Sequence, residues 1–398
     1  MTTARTATPS TARAINDRLA LDLLLAHGPL TATELRTLTG LSRPTVSDLL
    51  ERLQHGGLVG IVGERGEQRR GPNARVYGLR ADRAHLAGID VRTVGVTLTV
   101  ADLTGRSLAT AALPVDPLAP PPADMVGQVL RTLLETARGV GVTDLHTVAV
   151  GAPGLVDPAS GRLRATAELP HWHGDLVDEL RAALSAEVIL ENEVNLAGIA
   201  EHRLGAATDR DTFVLLWLGH GAGAAVMLDG RLRRGASGGA GEIGFLPVPG
   251  TAALPSAYSC DGGFHSLAAS AAVCALARDH GLPVPGDGAD DAPAAEAAVL
   301  AALAAGQAGE PFLDELAGRV AVAVAAVCVI LDPGCVVLGG EIGRAGGPAL
   351  AGRVERRLAG LTPLRTEVRA GTAGGGAVLG GAVLIASDAV RRDLFGGA

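Results

Sequence analysis

The sequence predicts an α/β protein in two parts, an N-terminal winged helix-turn-helix followed by a larger domain of two lobes. Three observations carry that expectation. Residues 31–57 hold two short helix patterns separated by a glycine turn. Residues 58–79 read as a hairpin with a basic tip. A strand–strand–strand–helix–strand order then begins near Leu86, and its opening pattern recurs from Thr212.

Within the head, Thr31 followed by Glu34 is a capping box, so a helix starts there, and Gly40 ends it where a left-handed residue is wanted. Ser42 caps a second helix, with Pro44 in a first turn that does not need its missing N–H. Val46, Leu49, Leu50 and Leu53 fall at i, i+3, i+4 and i+7, which makes one inward stripe. Pro44, Thr45, Ser47, Asp48 and Arg52 face outward with Arg43 on the flank, and Gly56-Gly57 stops the helix. Two short helices about a glycine turn, the second polar and basic at its start, match a reader of the DNA major groove. Residues 58–62 and 74–79 are β-prone and enclose Arg65, Arg69, Arg70 and Pro72, a wing whose arginines would reach phosphates or the minor groove. The same helices also fit a hairpin used for protein contacts. Ile15, Leu19 and Leu23 predict a preceding helix packed on this unit.

Composition bounds the rest. A chain of 398 residues exceeds one small domain. Hydrophobic residues at 47% supply a core, and aromatics at 2% make its packing aliphatic. Lysine is absent, so all 34 basic residues are arginine. Residues 1–85 carry 12 Arg against 8 acidic residues, leaving 22 against 34 for the remainder. A basic head on an acidic body suits a DNA binder whose larger part avoids the polyanion. Cys260, Cys274, Cys328 and Cys335 form no CxxC pair and read as buried free thiols. Residues 1–10 lack a hydrophobic run, and the longest apolar stretch, 320–331, is shorter than the ~20 residues of a membrane span. A cytoplasmic protein with no membrane partner is expected.

In the larger domain, residues 86–100 read as a hairpin, 106–113 as a third strand, 114–122 as an extended connector, 125–139 as an amphipathic helix and 147–150 as a buried strand. A helix at 195–204 precedes the second copy. That copy comprises strands at 212–218 and 224–228 about the glycine turn 219–223, and a third strand from Arg231. Residues 283–309 look inserted, with a helix at 294–305. A long apolar helix at 312–330, a strand at 336–338, a glycine-rich run at 371–381 and a helix at 382–394 close the chain. The expected units are 12–82, then 86–200 with 378–398, and 201–377.

Four runs, VGAPGLVD at 150–157, LENEVNLA at 190–197, GASGGAGEIG at 235–244 and DPGCVVLGG at 332–340, occur in the order that resembles the ROK family of sugar kinases and sugar-responsive repressors. With the winged helix, residues from about 12 to 395 resemble a ROK-type transcriptional regulator. The resemblance implies a two-lobed actin-like ATPase (ribonuclease H-like) fold, a sugar pocket in the cleft, and a homodimer or homotetramer.

The resemblance also exposes departures. The kinase base is the Asp of an E-N-D-A-N run, and here Glu193 stands in its place, one methylene longer. The first phosphate loop, Asp-x-Gly-Gly-Thr in the kinases, reads Asp90-Val91-Arg92-Thr93, so side chains occupy the space of the phosphates. The second reads Gly219-His220-Gly221, with His for the usual Thr. Catalysis is not expected, and neither a catalytic residue nor a cofactor is assigned. The zinc-binding His of the family is Phe245 here, and 258–265 holds one Cys and one His, so no metal is expected. His171-Trp172-His173 reads as an exposed polar loop.

Gly154, Asn192, Glu193 and Glu242 match ligand-binding positions, while Asn192 and Glu242 equally fit structural caps. The family's later sugar-binding Glu is replaced by Ser266 or His265. The implied function is a repressor of carbohydrate-related genes that responds to a sugar or sugar phosphate. Arg43, Thr45, Ser47 and Asp48 would face bases or nearby phosphates of an inverted-repeat operator. Arg65, Arg69, Arg70 and Arg75 would hold the backbone and groove edge. Ligand would act by shifting lobe closure and so the spacing of two recognition helices. A bifunctional ROK sugar kinase that also binds DNA, and a ligand-independent DNA-binding protein, are the alternatives.

Overall fold

The structure is a computed structural model that describes residues 9–65, 73–92, 95–115, 124–164, 172–285 and 290–396. The head consists of α1 (Pro9–His27), β1 (Leu30–Thr31), α2 (Ala32–Thr39), α3 (Arg43–His55), β2 (Val59–Arg65) and β3 (Ala74–Leu79). The capping box closes in both directions. The Thr31 N–H donates to Glu34 Oε2 at 2.7 Å, and the Glu34 N–H donates to Thr31 Oγ1 at 3.2 Å. Gly40 is left-handed at φ 69°, and Ser42 Oγ accepts the Thr45 N–H at 3.3 Å. The short β1 was not anticipated. It pairs antiparallel with β3, which gives the sheet order β1-β3-β2 and ties the first helix pair to the wing.

The stripe of α3 is buried as its spacing requires. That of α1 differs from expectation. Ile15 and Leu19 are exposed, and Ala20, Leu21 and Leu24 face the core instead. The run from Leu19 to Leu25 carries leucines on more than one face, so periodicity alone did not choose the buried one; contact with α2, α3 and β3 did.

The larger domain repeats one sheet twice. The first copy contains β4 (His85–Arg92), β5 (Gly95–Asp102), β6 (Ser107–Pro114), α4 (Met125–Gly139), β7 (Thr147–Ala152), α5 (Trp172–Ala183), β8 (Glu187–Asn192) and α6 (Glu193–Leu204). Its order is β6-β5-β4-β7-β8, with β4, β5 and β6 antiparallel and β4, β7 and β8 parallel. The second copy contains β9 (Phe213–Leu218), β10 (Ala222–Leu228), β11 (Arg231–Leu232), α7 (His265–Ala268), α8 (Ser270–Asp279), α9 (Ala292–Ala304), α10 (Glu310–Leu331), β12 (Cys335–Gly339), α11 (Gly340–Leu358), β13 (Glu367–Ala370) and α12 (Ala377–Leu394). Its order, β11-β10-β9-β12-β13, has the same pattern of directions.

Between the sheets lie α12, packed on β4 and β7, and α6, packed on β9 and β10. This layer explains why α12 starts at Ala377, inside the glycine-rich run and ahead of the expected start at 382. A side chain at Gly381 would collide with the Leu196 backbone of α6, so glycine there permits helix contact rather than a turn. The strand copies bring the carboxyl ends of β4 and β9 to the same cleft. Cys274, Cys328 and Cys335 are buried, while Cys260 is partly exposed. Among the described residues, no helix is long and apolar enough to cross a membrane.

Candidate functional site

Two regions present functional side chains. On the head, α3 exposes Arg43, Ser47 and Asp48, with Thr45 half-buried beside its cap. The Thr45 and Ser42 hydroxyls lie 2.8 Å apart, so Thr45 is partly engaged in holding the helix start. Arg52, expected to face solvent, is instead gripped through two nitrogens by Asp17 of α1, the closer contact at 2.6 Å. It braces the recognition helix. Arg65, at the end of β2, pairs with Glu34 Oε1 at 2.6 Å, so the capping carboxylate also holds the base of the wing. Hydrogen bonds from Thr31 and the Arg65 charge hold the Glu34 carboxyl below its ordinary value. Arg75 sits opposite Glu64 in the β2–β3 register, exposed. Arg69 and Arg70 lie outside the described residues.

The second region is the cleft. Asp90 and Arg92 end β4, Glu193 begins α6, Trp217 lies near the end of β9, and Glu341 begins α11. The Arg92 Nε donates to Asp90 Oδ2 at 2.9 Å, and its Nη1 donates to Glu341 Oε1 at 2.7 Å. The guanidinium carbon stands 5.9 Å from the centre of the Trp217 ring. One arginine thus joins the first lobe to two residues of the second. Desolvation would lower the Arg92 pKa, but Asp90, Glu341 and Glu193 outweigh it and raise the value. Asp90 is buried and its pKa is raised by desolvation, even against the Arg92 charge. Its second oxygen, Oδ1, is buried and accepts no hydrogen bond among the described residues.

Glu193 lies at the centre of this charge pattern. Burial, with repulsion from Asp90, Glu341 and Glu242, pushes its carboxyl up to about 8 despite the opposing pull of Arg92. Glu242 is exposed to solvent, and partial desolvation raises its carboxyl too. Asn192 is committed to structure: its Oδ1 accepts the Val194 and Asn195 N–H groups at 2.9 and 3.2 Å, and its Nδ2 donates to the Gly154 carbonyl at 3.0 Å. One amide hydrogen remains for a ligand. Gly154 is left-handed at φ 103°, which sets the turn that offers this carbonyl.

Two ties were invisible to sequence reasoning. Buried Glu191 accepts Asn195 Nδ2 at 2.9 Å through one oxygen and pairs with Arg234 Nε at 2.6 Å through the other. Arg234 follows β11, so this pair also crosses between lobes. Likewise nothing local to Glu341 announces Arg92. Glu191 and Glu341 each lie within or beside a quoted run, but only the paired positions of the strands bring their partners to them.

The region that carries zinc in the resembled family closes through backbone contacts. The Phe264 N–H donates to the Leu246 carbonyl at 2.9 Å, and Pro247 bridges Gly263. Among the described residues, no three His, Cys, Asp or Glu side chains gather as a metal cluster. Trp172 and His173 belong to α5 rather than to an exposed loop, and His171 lies outside the described residues. His173 is buried with neither ring nitrogen hydrogen-bonded among the described residues, and desolvation lowers its pKa to about 4.

Comparison with known proteins agrees with this architecture. A model of the ROK family matches residues 86–389, and a model of the MarR family matches residues 15–71. The chain is similar to a glucokinase of Thermotoga maritima, 28% identical over 234 residues, covering 56% of this chain and 71% of that protein. It is similar to the xylose repressor of Bacillus subtilis, 24% identical over 240 residues, covering 59% of this chain and 60% of that protein. The matched stretch thus spans less than two thirds of that repressor. A crystal structure described as a ROK family transcriptional regulator, homolog of the E. coli MLC protein, aligns with a TM-score of 0.74 at 20% identity. That alignment covers 96% of this chain and 98% of the other, so both the head and the two-lobed body share its fold.

Proposed function

The chain belongs to the ROK family, and from that premise we propose that it is a DNA-binding transcriptional repressor of carbohydrate-related genes. A sugar in the interlobe cleft is its signal, and the cleft binds that sugar without phosphorylating it. The observation that carries the reading is Arg92, which stands where the resembled kinases have a glycine of the phosphate loop and is held by Asp90 and Glu341. Backbone approach to a triphosphate needs glycine there. A guanidinium bound between two carboxylates closes that approach and joins the lobes without nucleotide.

The head supports the DNA-binding half of the reading. Ser47 and Asp48 are exposed on α3 beside Arg43, on the face away from the buried stripe. Two heads on a homodimer would read an inverted repeat, and closure of the cleft around sugar would change their spacing. The kinase alternative draws on Glu193, which keeps a carboxylate at the base position. One experiment decides between them. Purified protein is mixed with fragments of its own promoter at low ionic strength, and separately with ATP and glucose, xylose or N-acetylglucosamine. Retarded fragments with no sugar-dependent ADP release are expected. Brisk phosphorylation without DNA binding would overturn the proposal.

A further inference from the structure

The longest apolar stretch of the chain, residues 320–331, turns one uncovered face outward. It forms the second half of α10, whose inner side packs on α9 and α11. On the outer side Gly318, Val322 and Ala325 are half-buried, and Val329 and Ile330 are exposed at 62% and 76%. Gly318, Val322, Ala325 and Val329 fall at i, i+4, i+7 and i+11, one stripe of a helix. No charged residue interrupts it between Arg319 and Asp332, although a solvated helix face ordinarily carries several. Exposed Leu361 lies on the segment that Thr366 ties to this end of α10, its Oγ1 accepting from Cys328 Sγ at 3.3 Å.

Gly318 indicates what covers the stripe. Glycine inside a helix costs ~0.5–1 kcal/mol against alanine. The fold of this chain does not need it, because a side chain there would meet no described atom within 4 Å. A notch left open by the chain's own packing fits a close approach from outside, and the stripe itself supplies the matching piece. Laid antiparallel on a copy of itself, it sets Gly318 opposite Val329 and Val322 opposite Ala325, small against large at all four levels. A parallel copy would set Val329 against Val329 and Gly318 against Gly318. From this self-complementarity we infer that α10 is a dimer interface, on which a second copy of this chain packs its own α10 antiparallel about a two-fold axis between Val322 and Ala325. The inference goes beyond the repressor reading, which needs two heads without saying where the copies meet.

The test uses the full-length protein. Sedimentation equilibrium should show a dimer. Val329→Glu, a change at an exposed position, should weaken it a hundredfold or more while circular dichroism stays that of the unsubstituted protein. Disulfide trapping reads the register, and decides the matter even if Val329→Glu misfolds. In Gly318→Cys with Val329→Cys, the two sites of one chain stand ~16 Å apart along the helix, beyond the ~7 Å that a disulfide spans, so a bond between them must join two chains. Mild oxidation should make this double variant a covalent dimer, but neither single variant nor the unsubstituted protein with its own four cysteines. A monomer at every concentration, a folded Val329→Glu that dimerises undiminished, or a dimer that the cysteine pair fails to trap overturns the inference. Promoter retardation is scored in parallel. If a monomer retards the fragments, the inference falls and the DNA-binding reading stands; if the trapped dimer forms and retards none, the inference stands and the repressor reading falls.

Discussion

Arg92 Nη1 and Glu341 Oε1 meet at 2.7 Å across 249 residues of sequence, one at the end of the first strand of the first lobe, the other at the first turn of a second-lobe helix. Their side chains are largely shielded, at 27% and 16% exposure, so the pair is screened less than a surface bridge. Asp90 and the Trp217 ring fix the guanidinium from two further sides.

Removing the arginine should therefore be more damaging than removing an exposed one. Arg92→Ala leaves Asp90 and Glu341 as buried or half-buried carboxylates without a partner, and a loss of ~2 kcal/mol in unfolding free energy is expected. Glu341→Gln should lose less, because the amide oxygen still accepts. A double-mutant cycle measured by urea unfolding should return a coupling of ~1 kcal/mol or more, and additivity of the two changes would show that the pair carries no interaction.

Recognition-helix order and wing charge should separate experimentally. Ser42→Ala removes the cap of α3 and is expected to cost about 1 kcal/mol of stability while weakening DNA binding at every salt concentration. Arg69→Ala with Arg70→Ala should instead lower the slope of log affinity against log salt, by about one per arginine, with stability unchanged. An unaltered slope would remove the wing from the DNA contact.

The raised pKa of Glu193 has a definite consequence for pH. Its folded value of about 8 lies above the ordinary value of 4.5, so the folded state keeps a proton that the unfolded chain releases. The stability this contributes is fully present below pH ~4.5 and is lost as pH rises toward 8. Glu193→Gln mimics the protonated form. Its thermal midpoint should match the wild type near pH 4.5, rise above it progressively to pH 8, and hold that margin at higher pH. A pH-independent margin would mean that Glu193 does not titrate in this window.

His173 should act in the opposite direction. Its folded pKa is lowered from 6.5 to about 4 by burial, so the unfolded state gains the proton first on acidification. Stability is therefore lost as pH falls from 6.5 to 4. His173→Leu removes two unsatisfied buried nitrogens together with the titration. Its melting temperature should fall less than that of the wild type between those pH values, and an equal fall in the two proteins would refute the assignment.

How much of this was legible in advance follows the range of the interaction concerned. The capping box Thr31–Glu34, the Ser42 cap, the α3 stripe and α4 depend on neighbours three or four residues apart, and local chemistry specified them. Motif order likewise identified the duplicated body, because its short runs mark strand ends and helix starts. The buried face of α1, the start of α12 and the burial of His173 escaped, since each turns on which element packs against another. Part of the glycine-rich run became a helix crossing when Leu196 was brought against Gly381.

By itself, then, the sequence determined that a winged helix-turn-helix head precedes a two-lobed ROK-like body. Only the tertiary structure decided which groups Arg92 holds. Charge pairing and desolvation are set by three-dimensional distance rather than chain position. The partnership of Arg92 with Glu341 and the tie from Glu191 to Arg234 arose only when the two lobes faced one another.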